Sequence, residues 1–98
     1  MKQQIYDYLR TIPHGKVVTY GQIAEYLGNK HYARVVGNFL HKNTEPELNP
    51  CYKVVNNNGE LSSHYAFGGI DGQRMRLEKE GIVVENGKVD LKIYRYKK

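Results

Sequence analysis

The chain has 98 residues, 40% hydrophobic and 26% charged, with one cysteine, Cys51; this composition suits a single globular domain and excludes a disordered or disulfide-stapled chain. No apolar run approaches the roughly 18 residues of a membrane span, and no CxxC pair or spaced His/Cys group offers a zinc site, so no metal, cofactor or membrane association is expected. Fifteen Lys+Arg against ten Asp+Glu give a net charge of +5, which favours a polyanionic partner but also fits a plain solvated surface.

Ile5, Tyr8, Leu9 and Ile12 fall at i, i+3, i+4 and i+7 and predict an amphipathic first helix, ended by Pro13, His14 and Gly15. Residues 16–18 are a short extended step. Thr19 then caps a second helix, with Gln22 three residues on completing a capping box and Gly28 closing it. A turn over residues 29–31 leads to a third helix carrying Ala33, Val36, Gly37 and Leu40. Two short helices joined by a glycine-bearing turn outline a helix-turn-helix. A polar loop over residues 42–49 follows, then an extended segment over 51–55. Asn58-Gly59 predicts a tight turn into residues 60–62. Residues 63–72 read as an irregular glycine-rich loop. Asp71 is placed to cap a fourth helix from about Gly72 to Glu80, ended by Gly81. The remainder predicts a β-hairpin: Ile82 to Val84, a turn at Asn86-Gly87, then Val89, Leu91 and Ile93 alternating, with a frayed basic tail over 95–98.

Three features carry chemistry. Arg34 sits in the first turn of the third helix between Ala33 and Gly37, small residues that let a helix approach a nucleic-acid backbone; an exposed arginine beside glycine packing is the plainer alternative. Cys51 follows Pro50. A lone cysteine is most often a small buried apolar residue, whereas a nucleophilic role needs a cation, helix N-terminus or base nearby, and Tyr52 and Lys53 are its neighbours. His64 lies on the glycine-rich loop.

Residues 12–24, IPHGKVVTYGQIA, are similar to the opening signature of the O6-alkylguanine-DNA alkyltransferase family. ARVVG at 33–37 resembles its recognition-helix motif, with Asn43 at the expected interval. NPCYKVV at 49–55 resembles its active-site segment, Pro-Cys-His-Arg-Val, and Gly68-Gly69 with residues 77–81 match its closing loop and helix. The resemblance covers residues 5–81.

It implies a single small α+β domain over residues 1–98, with a winged-helix-like helix-turn-helix and short β-hairpins. The expected partner is duplex DNA containing alkylated guanine, bound in the minor groove by a monomer in the cytoplasm, or the nucleus of a eukaryote. Arg34 would enter the base stack and Tyr20 would crowd the adjacent phosphate, with Ala33, Gly37 and Lys53 also on the DNA side. The flipped base would face Val54, Tyr65 and Gly68, and Cys51 would take its alkyl group irreversibly. Asn43 would organise the loop, while Tyr52 and Glu80 occupy the places of a histidine–glutamate pair that activates the cysteine.

The chain departs from the family in three respects. Tyr52 replaces the histidine, which leaves His64 as a substitute base. The loop over 59–69 is about two residues longer, so that Tyr65 or Phe67 is the residue against the lesion. Compactness, Gly72-Gln73-Arg74 and a carboxyl-terminal β segment resemble the alkyltransferase-like proteins, which bind alkylated guanine without repairing it, flag it for excision-repair proteins and carry tryptophan in place of Cys51. Three readings follow: a single-turnover alkyltransferase, a lesion sensor, and a plain helix-turn-helix DNA binder.

Overall fold

The structure, a computed structural model, describes residues 1–97. Helix α1 spans Lys2–Arg10 and buries Ile5, Tyr6, Tyr8 and Leu9, the face set by its apolar periodicity. Strand β1 is only Val18–Thr19. Thr19 then caps α2, Tyr20–Tyr26: its hydroxyl accepts from the Gln22 N–H at 3.1 Å, while the Gln22 side chain accepts from the Thr19 N–H at 3.0 Å. The capping box is therefore formed at both ends. Gly28, with φ of +99°, closes α2; the N–H groups of Gly28 and Asn29 donate to the Glu25 and Ala24 carbonyls, the paired bonds of a Schellman stop.

A 3-10 turn over Lys30–Tyr32, capped by Asn29, replaces the open turn expected there and leads into α3, Ala33–His41. Helices α2 and α3 thus form the helix-turn-helix. Cys51–Lys53 forms a second 3-10 turn instead of an extended start, and only Val54–Val55 is strand, β2. The two strands run parallel, with Val18 opposite Val54 and Thr19 opposite Val55. Side chains alternate across them. Val18 and Val54 enter a core with α1, α2, α3 and Cys51, whereas Val17 and Val55 enter another with Leu61, Leu77, Ile82 and Val89.

Helix α4, Gly69–Glu78, starts three residues before the position expected from Asp71. Gly68 makes the entry at φ +105°, and the Gly72 N–H donates to the Gly68 carbonyl at 3.1 Å, so the glycines themselves turn the chain into the helix. Asp71 lies in the first turn and pairs with Arg74 at 3.3 Å.

The carboxyl-terminal hairpin is the largest correction. The Asn86-Gly87 turn exists, with φ of +53° and +72°, and Glu85 bridges Lys88. Asp90, however, accepts from the Lys92 N–H and caps a helical turn, α5, Leu91–Tyr94. The apolar alternation at 89, 91 and 93 is compatible with a strand; the local Asp cap decides otherwise. The tail is pinned up to residue 96: Val17 donates to the Tyr94 carbonyl at 2.8 Å and accepts from the Tyr96 N–H at 2.7 Å. Lys98 lies outside the described residues. The fold is α+β, as expected, with a parallel pair and isolated bridges in place of short hairpins.

Candidate functional site

Cys51 lies where the 3-10 turn leaves Pro50, at the floor of a cleft of about 400 Å³. The cleft runs between the helix-turn-helix and the loop before α4. Tyr20 of α2, Gly37 and Leu40 of α3, Ser62 and Tyr65 of the loop and Gln73 of α4 line it. Gly37 lies against Tyr20: a Cβ there would sit 3.9 Å from the ring, in ordinary van der Waals contact.

The thiol is 5% exposed. Asn43 reaches it with a side-chain N–H at 3.2 Å and donates also to the Asn49 carbonyl at 2.7 Å. The Asn43 oxygen accepts from the Glu45 N–H and from the Asn49 side chain, and Asn49 in turn accepts two bonds from Arg10 of α1. The loop expected to be organised by Asn43 is therefore tied through it to both the cysteine and the first helix. Burial pushes the Cys51 thiol above its ordinary value, opposed by the Asn43 N–H, the cysteine's own backbone, Tyr65 and the charge of Arg76. The thiol is thus protonated at neutral pH.

Tyr65 stands over the cleft with its hydroxyl oxygen buried and without a hydrogen-bond partner. It is near enough to the thiol to affect its titration but falls short of hydrogen-bond geometry. A buried unpartnered hydroxyl costs on the order of 1–3 kcal/mol, so this oxygen is a ready donor to whatever fills the cleft. Burial, and next the nearby Cys51, raise its own pKa, and it stays protonated. Phe67, the other aromatic considered on this loop, packs edge-on against Tyr65 at 5.7 Å and is absent from the cleft lining.

Tyr52 turns away from the thiol. Its hydroxyl donates to Glu80 Oε2 at 2.5 Å. Burial, then the bond to this carboxylate, raise the Tyr52 pKa far above the ordinary phenol. The same carboxylate accepts from Lys53 Nζ and from the Gly15 N–H, both at 2.9 Å. Burial alone would raise the Glu80 pKa, but these three donors outweigh it and the carboxyl titrates below its usual range.

Lys53, placed on the DNA side by the sequence, is only 3% exposed and also donates to the Pro13 carbonyl at 2.7 Å. It clamps the loop after α1 to Glu80. Val54 and Gly68 are not among the residues lining the cleft. Val54 is fully buried in the core, and Gly68 serves as the cap of α4. His64 lines the cleft mouth, its carbonyl 3.1 Å from His41 Nδ1.

Arg34 stands exposed at the start of α3 with no hydrogen bond or ion pair among the described residues, and Ala33 beside it is half-buried. Sequence reasoning missed Gln73, which is 1% exposed. It accepts from the Ser62 N–H at 2.8 Å and donates to the Tyr52 and Val54 carbonyls at 3.0 Å, joining the cleft loop to the cysteine segment. A glutamine one helical turn before Leu77, on the buried side of α4, was the available signal.

The family described as the 6-O-methylguanine DNA methyltransferase DNA-binding domain matches residues 1–82. A bifunctional methyltransferase/endonuclease of Picrophilus torridus is 44% identical over 94% of this chain, which spans 30% of that protein. A DNA base-flipping protein of Vibrio parahaemolyticus is 40% identical over 95% of this chain and 92% of its own length. The crystal structure of Schizosaccharomyces pombe Atl1 in complex with DNA containing O6-carboxymethylguanine superposes with a TM-score of 0.86, at 37% identity over 99% of this chain and 94% of that one. The helix-turn-helix, the cleft beside it and Cys51 on its floor lie within the matched residues, and the chain belongs to the 6-O-methylguanine DNA methyltransferase DNA-binding domain family.

Proposed function

We propose that the protein binds duplex DNA carrying O6-alkylguanine, extrudes the base into the cleft and transfers the alkyl group to Cys51. The observation that carries this is a cysteine on the floor of a cleft whose wall holds an unpartnered tyrosine hydroxyl. The exposed Arg34 side chain, at the start of α3, would fill the space of the extruded base, and Tyr20 borders both α3 and the cleft.

In the transfer, Cys51 Sγ bonds to the alkyl carbon as the carbon–O6 bond breaks, and that electron pair stays with guanine. The thiol loses one proton and guanine gains one. Asn43 steadies the developing thiolate through its 3.2 Å contact, and Tyr65 donates toward O6 as charge builds there. Each molecule reacts once, because the thioether is stable.

A second reading has support from two observations. The thiol is held protonated by burial, and Tyr52, in the histidine position, gives its hydroxyl to Glu80. On that reading the chain binds the lesion and marks it for excision-repair proteins. Mass spectrometry after mixing with an O6-methylguanine duplex separates the two: one methyl group on Cys51 per molecule supports transfer, and saturated binding with an unmodified cysteine after prolonged incubation rules it out. Either activity is expected of a monomer in the cytoplasm, or the nucleus of a eukaryote.

A further inference from the structure

We infer that the recess between the first turn of α2 and the basic tail is a binding site for a backbone phosphate of the bound duplex, held by Arg95, Lys97 and Asn57. The inference rests on the reading of the protein as a binder of duplex DNA.

Arg95 follows α5 in extended backbone, at φ −67° and ψ 126°. The bonds of Val17 to the Tyr94 carbonyl and the Tyr96 N–H lay this segment parallel to the chain just before β1. Side chains two apart on extended backbone point the same way, and Arg95 and Lys97 both line a recess of about 420 Å³. Gln22 anchors the arginine: its Oε1 accepts from Arg95 Nε at 3.1 Å, while its Nε2 donates to the Tyr96 carbonyl at 2.7 Å. The two terminal guanidinium nitrogens have no partner among the described residues. Asn57 adds an amide. Its side chain lies over Gly21, with Oδ1 2.9 Å from where a Cβ would sit, and it makes no hydrogen bond among the described residues.

The charges favour a singly charged anion. Arg95 and Lys97 form no ion pair among the described residues, although Glu25 lines the same recess. Its carboxylate offsets one of the two cations, and the balance of one positive charge is the complement of a phosphodiester. The guanidinium and the Asn57 amide supply N–H donors of the kind that bind phosphate oxygens.

The location favours the DNA backbone. Tyr20 lines the cleft, while Thr19, Gly21 and Gln22 beside it line the recess, so the first turn of α2 borders both. A strand that delivers a base to the cleft brings its neighbouring phosphates past that turn, about one for every 3.4 Å of helix axis.

The experiment is fluorescence anisotropy of the full chain with an undamaged duplex, and with the same duplex carrying O6-methylguanine, between about 50 and 200 mM salt. The double variant Arg95→Gln, Lys97→Gln is expected to weaken both complexes by the same factor, about three- to tenfold. It should also flatten the slope of log affinity on log salt by about 0.9, the value of one phosphate. The double variant Lys79→Gln, Lys88→Gln removes the same charge from residues lining neither the cleft nor the recess, and its slope is expected to stay within about 0.3 of the parent's. Asn57→Ala changes no charge and is expected to lower affinity about threefold, the order of one hydrogen bond.

Equal flattening by the two double variants, or a parent-like slope for Arg95→Gln, Lys97→Gln, overturns the inference with DNA binding itself intact. A loss confined to the O6-methylguanine duplex also overturns it, since a backbone contact does not read the lesion. Failure of the parent to bind either duplex overturns DNA binding as well. Arg95 also holds Gln22, so should its double variant fail to fold, Lys97→Gln alone decides the matter at an exposed residue: weaker binding with a flatter slope is expected, and an unchanged affinity and slope overturns the site.

Discussion

The residue after the cysteine determines how this site differs from the family pattern. Tyr52 bonds Glu80 at 2.5 Å and leaves Asn43 as the side chain bonded to Cys51. Tyr52→Phe is therefore expected to cost about 1.5–3 kcal/mol of stability, the net worth of a hydrogen bond to a charged group, measured by denaturant titration. Alkylation of Cys51 should be unchanged, since the hydroxyl does not touch the thiol. A large loss of reactivity would show a connection the geometry lacks.

Glu80 is the more consequential partner. Its carboxyl is depressed in the fold relative to the unfolded chain, so the stability it adds is full above the unfolded carboxyl range and is lost as pH falls through the lower folded value. Glu80→Gln leaves Lys53 buried without its counter-charge and is expected to cost about 3–5 kcal/mol at pH 7. The remaining variant should also lose less stability than the parent between pH 5 and 3, as chemical melts at each pH would show. Lys53 also shows what a linear reading omits. A lysine beside an active-site cysteine in a basic chain suggests phosphate contact, but its head group lies against Glu80 and the Pro13 carbonyl, partners 27 and 40 residues distant in sequence for which no local pattern exists.

Among the elements, the helix-turn-helix was legible because its signals are local: Thr19 with Gln22, Gly28, and the spacing of Val36 and Leu40. Helices α4 and α5 depart from the sequence expectation where two local rules compete. Asp71 could cap a helix, but the glycines before it turn the chain earlier. Alternating apolar residues fit a strand, but Asp90 caps a turn. Gly72 shows why the loop and α4 act as a unit, since a Cβ there would collide with the Phe67 carbonyl oxygen. Gly72→Ala is expected to push residues 65–67 off their packing, lower affinity for an O6-methylguanine duplex at least about tenfold and cost about 1–3 kcal/mol; fluorescence anisotropy and a thermal melt read the two effects. Arg34→Ala, at the exposed start of α3, should lower the same affinity about tenfold while leaving the melt within about 0.5 kcal/mol of the parent. An unchanged affinity would remove Arg34 from the extrusion step.

At the scale of the whole molecule, the net charge of +5 governs encounter with DNA. Binding to undamaged duplex is expected to weaken linearly in log affinity with log salt, and removal of surface cations such as Lys30 or Lys42 should flatten that slope by about 0.9 for each phosphate no longer neutralised. The cleft itself was only half legible. Cys51, Asn43, Tyr20 and Tyr65 stand out in the sequence, whereas Gln73, Arg76, Asn49 and Arg10 enter through interactions that close over long separations. Composition and spacing identify the residues that do chemistry more readily than those that hold them still.

The pinned tail bears on the order in which the chain can fold. Residue 17 bonds residues 94 and 96, Lys16 reaches the Ile93 carbonyl across 77 positions, and Gln22 reaches the Tyr96 carbonyl across 74. During synthesis the DNA-reading helices emerge first, yet the Val17 backbone beside β1 and the Gln22 side-chain N–H lack these partners until residues 93–96 clear the ribosome. At about 5–20 residues per second, that interval is several seconds. The helix-turn-helix thus gains its bonds to the 93–96 segment only after that segment is made.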